Sequence, residues 1–281
     1  MRGTRLWAML ALCAALALGV IAGCGDDDDG DSTSGGGGTS SDVETIEEGV
    51  LLVGTDTPYP PFEIGQPPDI SGYDIDVLNA MAEEMGLEVE YQDTSFDTIF
   101  RDVAQGKFDT EAAASSITPG RERTVDFTDP YYQTEGALIV AEGNTDIASV
   151  EDLSGAVVGT QDATTLETYI NDETDAGEVR GFPEGPDAIN AVRSGQVDAA
   201  FIDAPVAADA VEKQGGVEIA EEVALDEFFG FAVAQGNTSL LDAMNEALQT
   251  VKDDGTLAEE YEEYFGIEPP ESVLTETHEP T

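Results

Sequence analysis

Apolar and polar positions change period repeatedly along this chain, and the changes mark out its elements. Residues 50–54 (VLLVG) form a short apolar run suited to a buried strand. From Asp74 to Met85, Ile75, Leu78, Met81, Ala82 and Met85 recur at helical spacing, and Gly86 supplies a stop. Leu87, Val89 and Tyr91 then alternate with polar residues as a strand would. Ser95 stands where an N-cap would open a helix running to Gln105, with Gly106 behind it. Residues 108–113 and 136–141 read as further strands. A second cycle follows: strand 156–159, helix 164–170, strand 179–182, helix 187–193, strand 198–202 and helix 205–213. A strand over 229–234 and helices over 240–252 and 257–264 complete the pattern. This βαβα order predicts an α/β architecture with largely parallel sheets. No internal repeat of fixed period interrupts it.

The two ends follow different rules. Arg2 and Arg5 precede an unbroken apolar and small-residue run over 6–21, which is a signal-peptide pattern. Counted through Gly23, the run also reaches the lower limit of a membrane span. Ile21-Ala22-Gly23-Cys24 decides between them, because it resembles the bacterial lipobox. Residues 1–23 are then a lipoprotein signal peptide, and Cys24 becomes a lipidated N-terminus that anchors the chain to the membrane. Cys13 leaves with the signal, so the mature chain can form no internal disulfide. Residues 24–42 are acidic and glycine-rich and are expected to be a flexible tether. The run Asp26–Asp29 lacks the ligand spacing and turn of a calcium loop. Residues 269–281 have no apolar periodicity and are expected to be a loose tail.

Charge removes some partners. Sixty acidic residues against ten basic ones give a formal net charge of −50, a field that repels nucleic acid and anionic lipid. The bias fits adaptation to high salt and lineage-wide composition equally well. Against that background several motifs stand out in order: residues 54–63 (GTDTPYPPFE), 72–76 (GYDID), 106–109 (GKFD), 116–121 (SITPGR) and 125–132 (VDFTDPYY). They continue with 150–153 (VEDL), 160–165 (TQDATT), 195–203 (GQVDAAFID) and 254–257 (DGTL). Taken together, the series resembles the polar amino-acid family of periplasmic solute-binding proteins (family 3), which is similar to the histidine-, lysine/arginine/ornithine- and glutamine-binding proteins. The resemblance implies a type II periplasmic-binding-protein fold: two α/β lobes joined by two hinge strands, with a ligand cleft between them. Lobe one would comprise 43–132 plus 231–268, and lobe two 135–228. It also implies an extracytoplasmic monomer that delivers an amino acid to an ABC permease, with no cofactor or metal.

A free amino acid offers a carboxylate, an ammonium and a side chain, and the candidate residues divide accordingly. Arg121 is one of few cations, and an arginine fork matches a carboxylate best. By spacing alone it could equally be a surface arginine. The resemblance favours the ligand role, because the family's carboxylate-binding arginine follows a Ser/Thr by five residues, as Arg121 follows Ser116. Thr164 and Thr165 open a helix whose first amides can meet the same carboxylate. The family usually carries glycine where this chain has Ala163, which affects the turn there. Asp203 ends an apolar strand at the edge where α/β proteins place ligands. The resemblance makes it the ammonium's partner, although an aspartate there also suits a helix N-cap. Ala114 and Ser116 are expected to offer a carbonyl and a hydroxyl to the ammonium. Tyr59 and Phe96 match positions that sandwich the ligand side chain, or they are ordinary core aromatics. Asp56 matches a position that meets polar or basic side chains, or it holds its own loop through an Asx-type contact. Glu111, a carboxylate in an expected buried strand, has no account at this level.

Two other function classes remain in view. Some relatives of the fold are dehydratases of the cyclohexadienyl type, and Glu111 would be their general acid if it reached the cleft. The mature chain offers no nucleophilic Cys, and His278 lies in the tail, so no catalytic set is expected. A sensory ligand-binding domain would normally continue into a signalling region.

Overall fold

The computed structural model describes residues 43–278. The expected signal segment 1–23, Cys24 and the tether 24–42 lie outside them. The elements are β1 (Val50–Thr55), β2 (Ile64–Gln66), β3 (Asp69–Ser71), α1 (Tyr73–Met85), β4 (Glu88–Asp93), α2 (Phe96–Ala104) and β5 (Thr110–Ala112). Then come β6 (Val125–Phe127), β7 (Tyr132–Ala141), β8 (Val157–Gln161), α3 (Thr165–Glu173), β9 (Glu178–Phe182), α4 (Gly185–Arg193), β10 (Ala199–Asp203) and α5 (Ala204–Gln214). The chain closes with β11 (Val217–Phe229), β12 (Ala232–Ala234), α6 (Thr238–Asp253), α7 (Thr256–Phe265) and α8 (Glu271–Thr275).

The strands form two five-stranded sheets, ordered β4-β1-β5-β12-β6 and β11-β7-β10-β8-β9, plus the small β2–β3 hairpin. Helices α1, α2, α6 and α7 belong with the first sheet, and α3, α4 and α5 cover the second. In each sheet the helix-linked neighbours are parallel: β4, β1 and β5 in the first, β10, β8 and β9 in the second. The remaining pairs are antiparallel. The sheets are therefore mixed rather than largely parallel. The antiparallel members are the strands on either side of the two crossings between sheets, which lack the helical crossover that parallel neighbours need.

Those crossings are short. One runs from β6 to β7, the other returns from β11 to β12. They lie side by side, with the Thr128 amide donating to the Phe231 carbonyl at 3.0 Å and the Tyr131 amide to that of Phe229 at 3.0 Å. The rings of Tyr131 and Phe231 stack 4.1 Å apart and almost parallel, at 4°. Phe62, Tyr73, Tyr132, Phe229 and Phe265 gather around them in edge, tilted and stacked contacts. Such pairs add to what burial alone contributes, so the crossing region is a packed aromatic block.

Other departures from the sequence pattern have local causes. β11 runs for thirteen residues where a strand was expected only from 229. Its Glu-rich stretch hides the strand, because its faces are partly exposed and the ladder to β7 decides the conformation. The chain beyond 268 is not wholly loose. α8 puts Val273 in the core, Ser272 Oγ donates to Gln133 at 2.7 Å, and the His278 amide donates to Asp129 at 2.6 Å. Two adjacent apolar residues in five, Val273 and Leu274, are too few for periodicity to register. Replacing Val273 by serine is expected to lower stability by roughly 1–3 kcal/mol. A fall of several degrees in thermal midpoint is the measurement.

Candidate functional site

The C-terminal ends of β1, β5, β8 and β10 point toward one another across the space between the sheets. The loops and helix starts that follow them line a tight cavity of about 20 Å³, or about 340 Å³ when the open space at its mouth is counted. Its wall contains all nine candidates: Asp56, Tyr59, Phe96, Ala114, Ser116, Arg121, Thr164, Thr165 and Asp203, joined by Ala113, Gln161 and Leu166. Residues from both sheets contribute. Gly185, which opens α4, lies so close to the Tyr59 ring that a Cβ there would stand 2.5 Å from it.

Arg121 opens a 3₁₀ turn after β5 and lies over two rings, its Cζ 5.1 Å from the Phe96 centroid and 4.5 Å from that of Phe100. Its Nη1 donates to the Ser116 carbonyl at 2.7 Å and its Nη2 reaches the Ala163 carbonyl at 3.5 Å. Burial brings the guanidinium down to about 10, with Glu111, Glu227 and Asp203 working against the shift. It remains charged at neutral pH. Ala163 keeps the turn expected of glycine, at a φ of 64°. An L-residue there costs on the order of 1–2 kcal/mol.

Asp203 ends β10 and occupies the N-cap position of α5, yet its side chain makes no capping bond. Instead Tyr59 Oη donates to Oδ2 at 2.5 Å and Thr134 Oγ1 to Oδ1 at 2.6 Å. Burial raises this carboxyl to about 6, against those two donors and Arg121. Tyr59 thus does two things: its ring lines the cavity, and its hydroxyl crosses from one sheet's loops to the other sheet's Asp203.

Asp56 is 4% exposed, and Gln161 Nε2 donates to its Oδ2 at 2.6 Å. Oδ1 is buried without a fully formed hydrogen bond, and the nearby Phe96 amide favours the ionised carboxylate only weakly. Glu184, at the N-cap of α4, also has a buried oxygen without a partner. Burial and the Glu184 charge push Asp56 up to about 7. This end of the cavity is rich in acceptors and short of donors.

Ala114 sits at a φ of 47°, held there by Asp74, whose Oδ2 accepts its amide at 2.8 Å and the Tyr131 hydroxyl at 2.7 Å. Thr164 caps α3, accepting the Glu167 amide at 3.0 Å and donating its hydroxyl to the Gln161 carbonyl at 2.8 Å. The hydroxyls of Ser116 and Thr165 both donate to Glu227, at 2.7 and 2.8 Å. Asp74, Gln161, Glu184 and Glu227 were not singled out from the sequence. Asp74 and Gln161 lie inside motifs quoted for other members, but Glu184 and Glu227 stand in acidic stretches that read as solvated. Glu111 now has an account. It is a fully buried member of β5, accepting the Ala232 amide at 3.1 Å and the Ser115 hydroxyl at 2.8 Å. It does not line the cavity.

Comparison with known proteins gives a consistent answer. The profile of the bacterial extracellular solute-binding proteins, family 3, matches residues 51–267. The arginine-binding periplasmic protein of Mannheimia haemolytica is 31% identical over 214 residues, spanning 74% of this chain and 88% of that one. An ancestral arginine-binding protein bound to arginine is 37% identical with a TM-score of 0.73, covering 78% of this chain and 99% of its own. An ancestral amino acid-binding protein, a precursor of cyclohexadienyl dehydratase, is 36% identical with a TM-score of 0.72 over 77% of this chain and 96% of its own.

The buried carboxyls carry a prediction for stability. Asp203, Asp56 and Glu111 are raised to about 6, 7 and 8, so the folded chain holds protons that the unfolded chain releases. Stability is expected to fall as pH rises from about 4 toward 8. Glu111→Gln, whose carbonyl oxygen can still accept the Ala232 amide while its NH2 donates to the Ser115 oxygen, should flatten the upper part of that fall. Urea unfolding at three pH values across the range measures it.

Proposed function

The chain belongs to the bacterial extracellular solute-binding proteins, family 3, and on that footing we propose that it binds a cationic amino acid for an ABC importer. The observation that carries the charge of the ligand is the Asp56 carboxyl, buried in the cavity wall with its Oδ1 lacking a fully formed hydrogen bond and with a second acid, Glu184, close enough to raise it. Buried acceptors of this kind are costly unless a donor arrives, and a guanidinium or ammonium side chain supplies one. At the other end, Arg121 takes the α-carboxylate with the first amides of α3, and Asp203 takes the α-ammonium. An α-amino acid with a long cationic side chain spans these three positions.

The two lobes, 43–132 plus 231–268 and 135–228, close on the ligand about the paired crossings. A ligand that touches both lobes favours the closed form, which the permease then distinguishes from the open one. The protein works as a monomer held at the membrane by lipid on Cys24. We favour binding over catalysis because Glu111, the acid singled out in the sequence, lies behind the wall with both oxygens engaged, and the raised carboxyls that do line the cavity, Asp56 and Asp203, are placed to meet a cation and an ammonium. Turnover of a cyclic hydroxy acid by the purified protein would reverse that preference.

Three measurements test the reading. In a thermal-shift panel of the twenty amino acids, arginine or lysine should stabilise ligand-stripped protein by about 2.7 kcal/mol at a hundredfold excess over Kd. Arg121→Ala should abolish the shift while leaving the circular dichroism spectrum intact. No shift with any amino acid would sink the proposal. Affinity should also weaken below pH 7, where a proton must leave Asp56 before the cation can pair with it. Between pH 7 and about 6 the slope should steepen toward tenfold per pH unit and disappear in Asp56→Asn, while below about 6 the loss due to protonation of Asp203 persists in that variant. Finally, Cys24→Ser should move the protein from the membrane fraction to the soluble one.

A further inference from the structure

Glu227 lies near the end of β11, on the strand that returns to the first lobe. The register of β11 against β7 slips between Ala224 and Glu227, and Asp226 takes a φ of 54°. The strand is then pinned beside the loop that carries Ser116: the Ile117 amide donates to the Phe228 carbonyl at 2.8 Å and the Gly230 amide to that of Ser115 at 3.1 Å. From this fixed position a single oxygen, Oε2, accepts the Ser116 hydroxyl at 2.7 Å and the Thr165 hydroxyl at 2.8 Å. Ser116 follows β5 of the first sheet, and Thr165 opens α3 on the second. One carboxylate oxygen therefore ties the two lobes together.

The tie fixes the direction of two protons. A serine or threonine hydroxyl has one proton to donate and lone pairs left to accept. With both protons committed to Glu227, the oxygens of Ser116 and Thr165, 3.5 Å apart, have only lone pairs to offer elsewhere. Both residues line the cavity and Glu227 does not. A ligand group that meets these oxygens from the cavity must be a donor, and an anionic one faces lone pairs with a carboxylate behind them.

We propose that Glu227 is a specificity-determining residue: by drawing the hydroxyl protons of Ser116 and Thr165 out of the cavity, it reserves this corner for an α-ammonium and leaves the α-carboxylate to Arg121. The inference rests on the reading of the cavity as an amino-acid site. It explains how two hydroxyls beside an arginine can discriminate against a simple carboxylic acid, which would otherwise find two donors there.

The test compares L-arginine with 5-guanidinopentanoic acid, which is arginine without its α-amino group, by calorimetry on ligand-stripped full-length protein. In Glu227→Leu the freed hydroxyls can turn inward. The ratio of the two dissociation constants should then shrink by about tenfold or more, through tighter binding of the desamino acid. In Glu227→Gln the amide oxygen still accepts both protons, so the ratio should return toward that of the natural protein. If Glu227→Leu weakens both ligands equally and leaves the ratio unchanged, Glu227 is only a tie and the proposal is overturned. Neutron diffraction on deuterated protein decides the same point without a ligand. Deuterons of Ser116 and Thr165 directed at Glu227 support it, and either one directed into the cavity overturns it. Should the natural protein bind no amino acid at all, the functional reading fails while the neutron result still judges the proton directions.

Discussion

Each carboxylate that faces or backs the cleft must find a proton, a donor or a cation, and the walls of the cleft are arranged by that requirement. Asp203 takes the hydroxyls of Tyr59 and Thr134, Asp56 takes the Gln161 amide, and Glu227 takes two hydroxyls. Three of these arrangements cross between the sheets: Tyr59 to Asp203, Gln161 to Asp56, and Ser116 through Glu227 to Thr165. Satisfying the carboxylates and bringing the lobes together are thus one process. A lone buried carboxylate would shift its pKa or draw water, either of which works against closure.

The aromatic block at the crossings supplies the complementary rigidity. Tyr131 lies flat on Phe231, and its hydroxyl donates to Asp74, whose other bond holds the Ala114 amide. One chain of contacts therefore runs from the hinge to a residue of the cavity wall. Asp74 and Glu63 are both fully buried, and both are raised by burial. Burial is the first cause for both, and the Asp74 charge adds to it for Glu63, so the pair resists full ionisation.

Much of this was legible in the sequence, for reasons that differ by level. Helices α1 and α6 and strands β1 and β10 follow from the spacing of their apolar residues, because each buries one face or both. The nine candidate residues converge because strand ends in an α/β fold converge, so a motif placed just after a strand lands at the same edge. What escaped were polar residues whose meaning depends on a distant partner. Glu227 in an acidic strand looks like a solvated residue until Ser116 and Thr165, 111 and 62 positions away, arrive beside it. Glu111 looked anomalous because its partners, Ser115 and the Ala232 amide, become visible only once β12 is paired with β5. The N-cap reading of Asp203 fails for the same reason: it stands at that position, but Tyr59 and Thr134 claim its oxygens.

Backbone strain marks the same place. Ala114 and Ala163 both adopt left-handed conformations that favour glycine, and both line or flank the cavity. Each is held by a specific bond: the Ala114 amide by Asp74, and the Ala163 amide by Glu167 Oε2 at 2.9 Å. In an unconstrained loop a non-glycine residue would relax out of this region. Here the relaxed form would turn the Ala163 carbonyl away from Arg121 and the Ala114 amide away from Asp74. The strain is therefore maintained by carboxylates that are themselves fixed in the fold. These two points of the wall, one on each sheet, are held by bonds within their own lobe and do not depend on contact across the cleft.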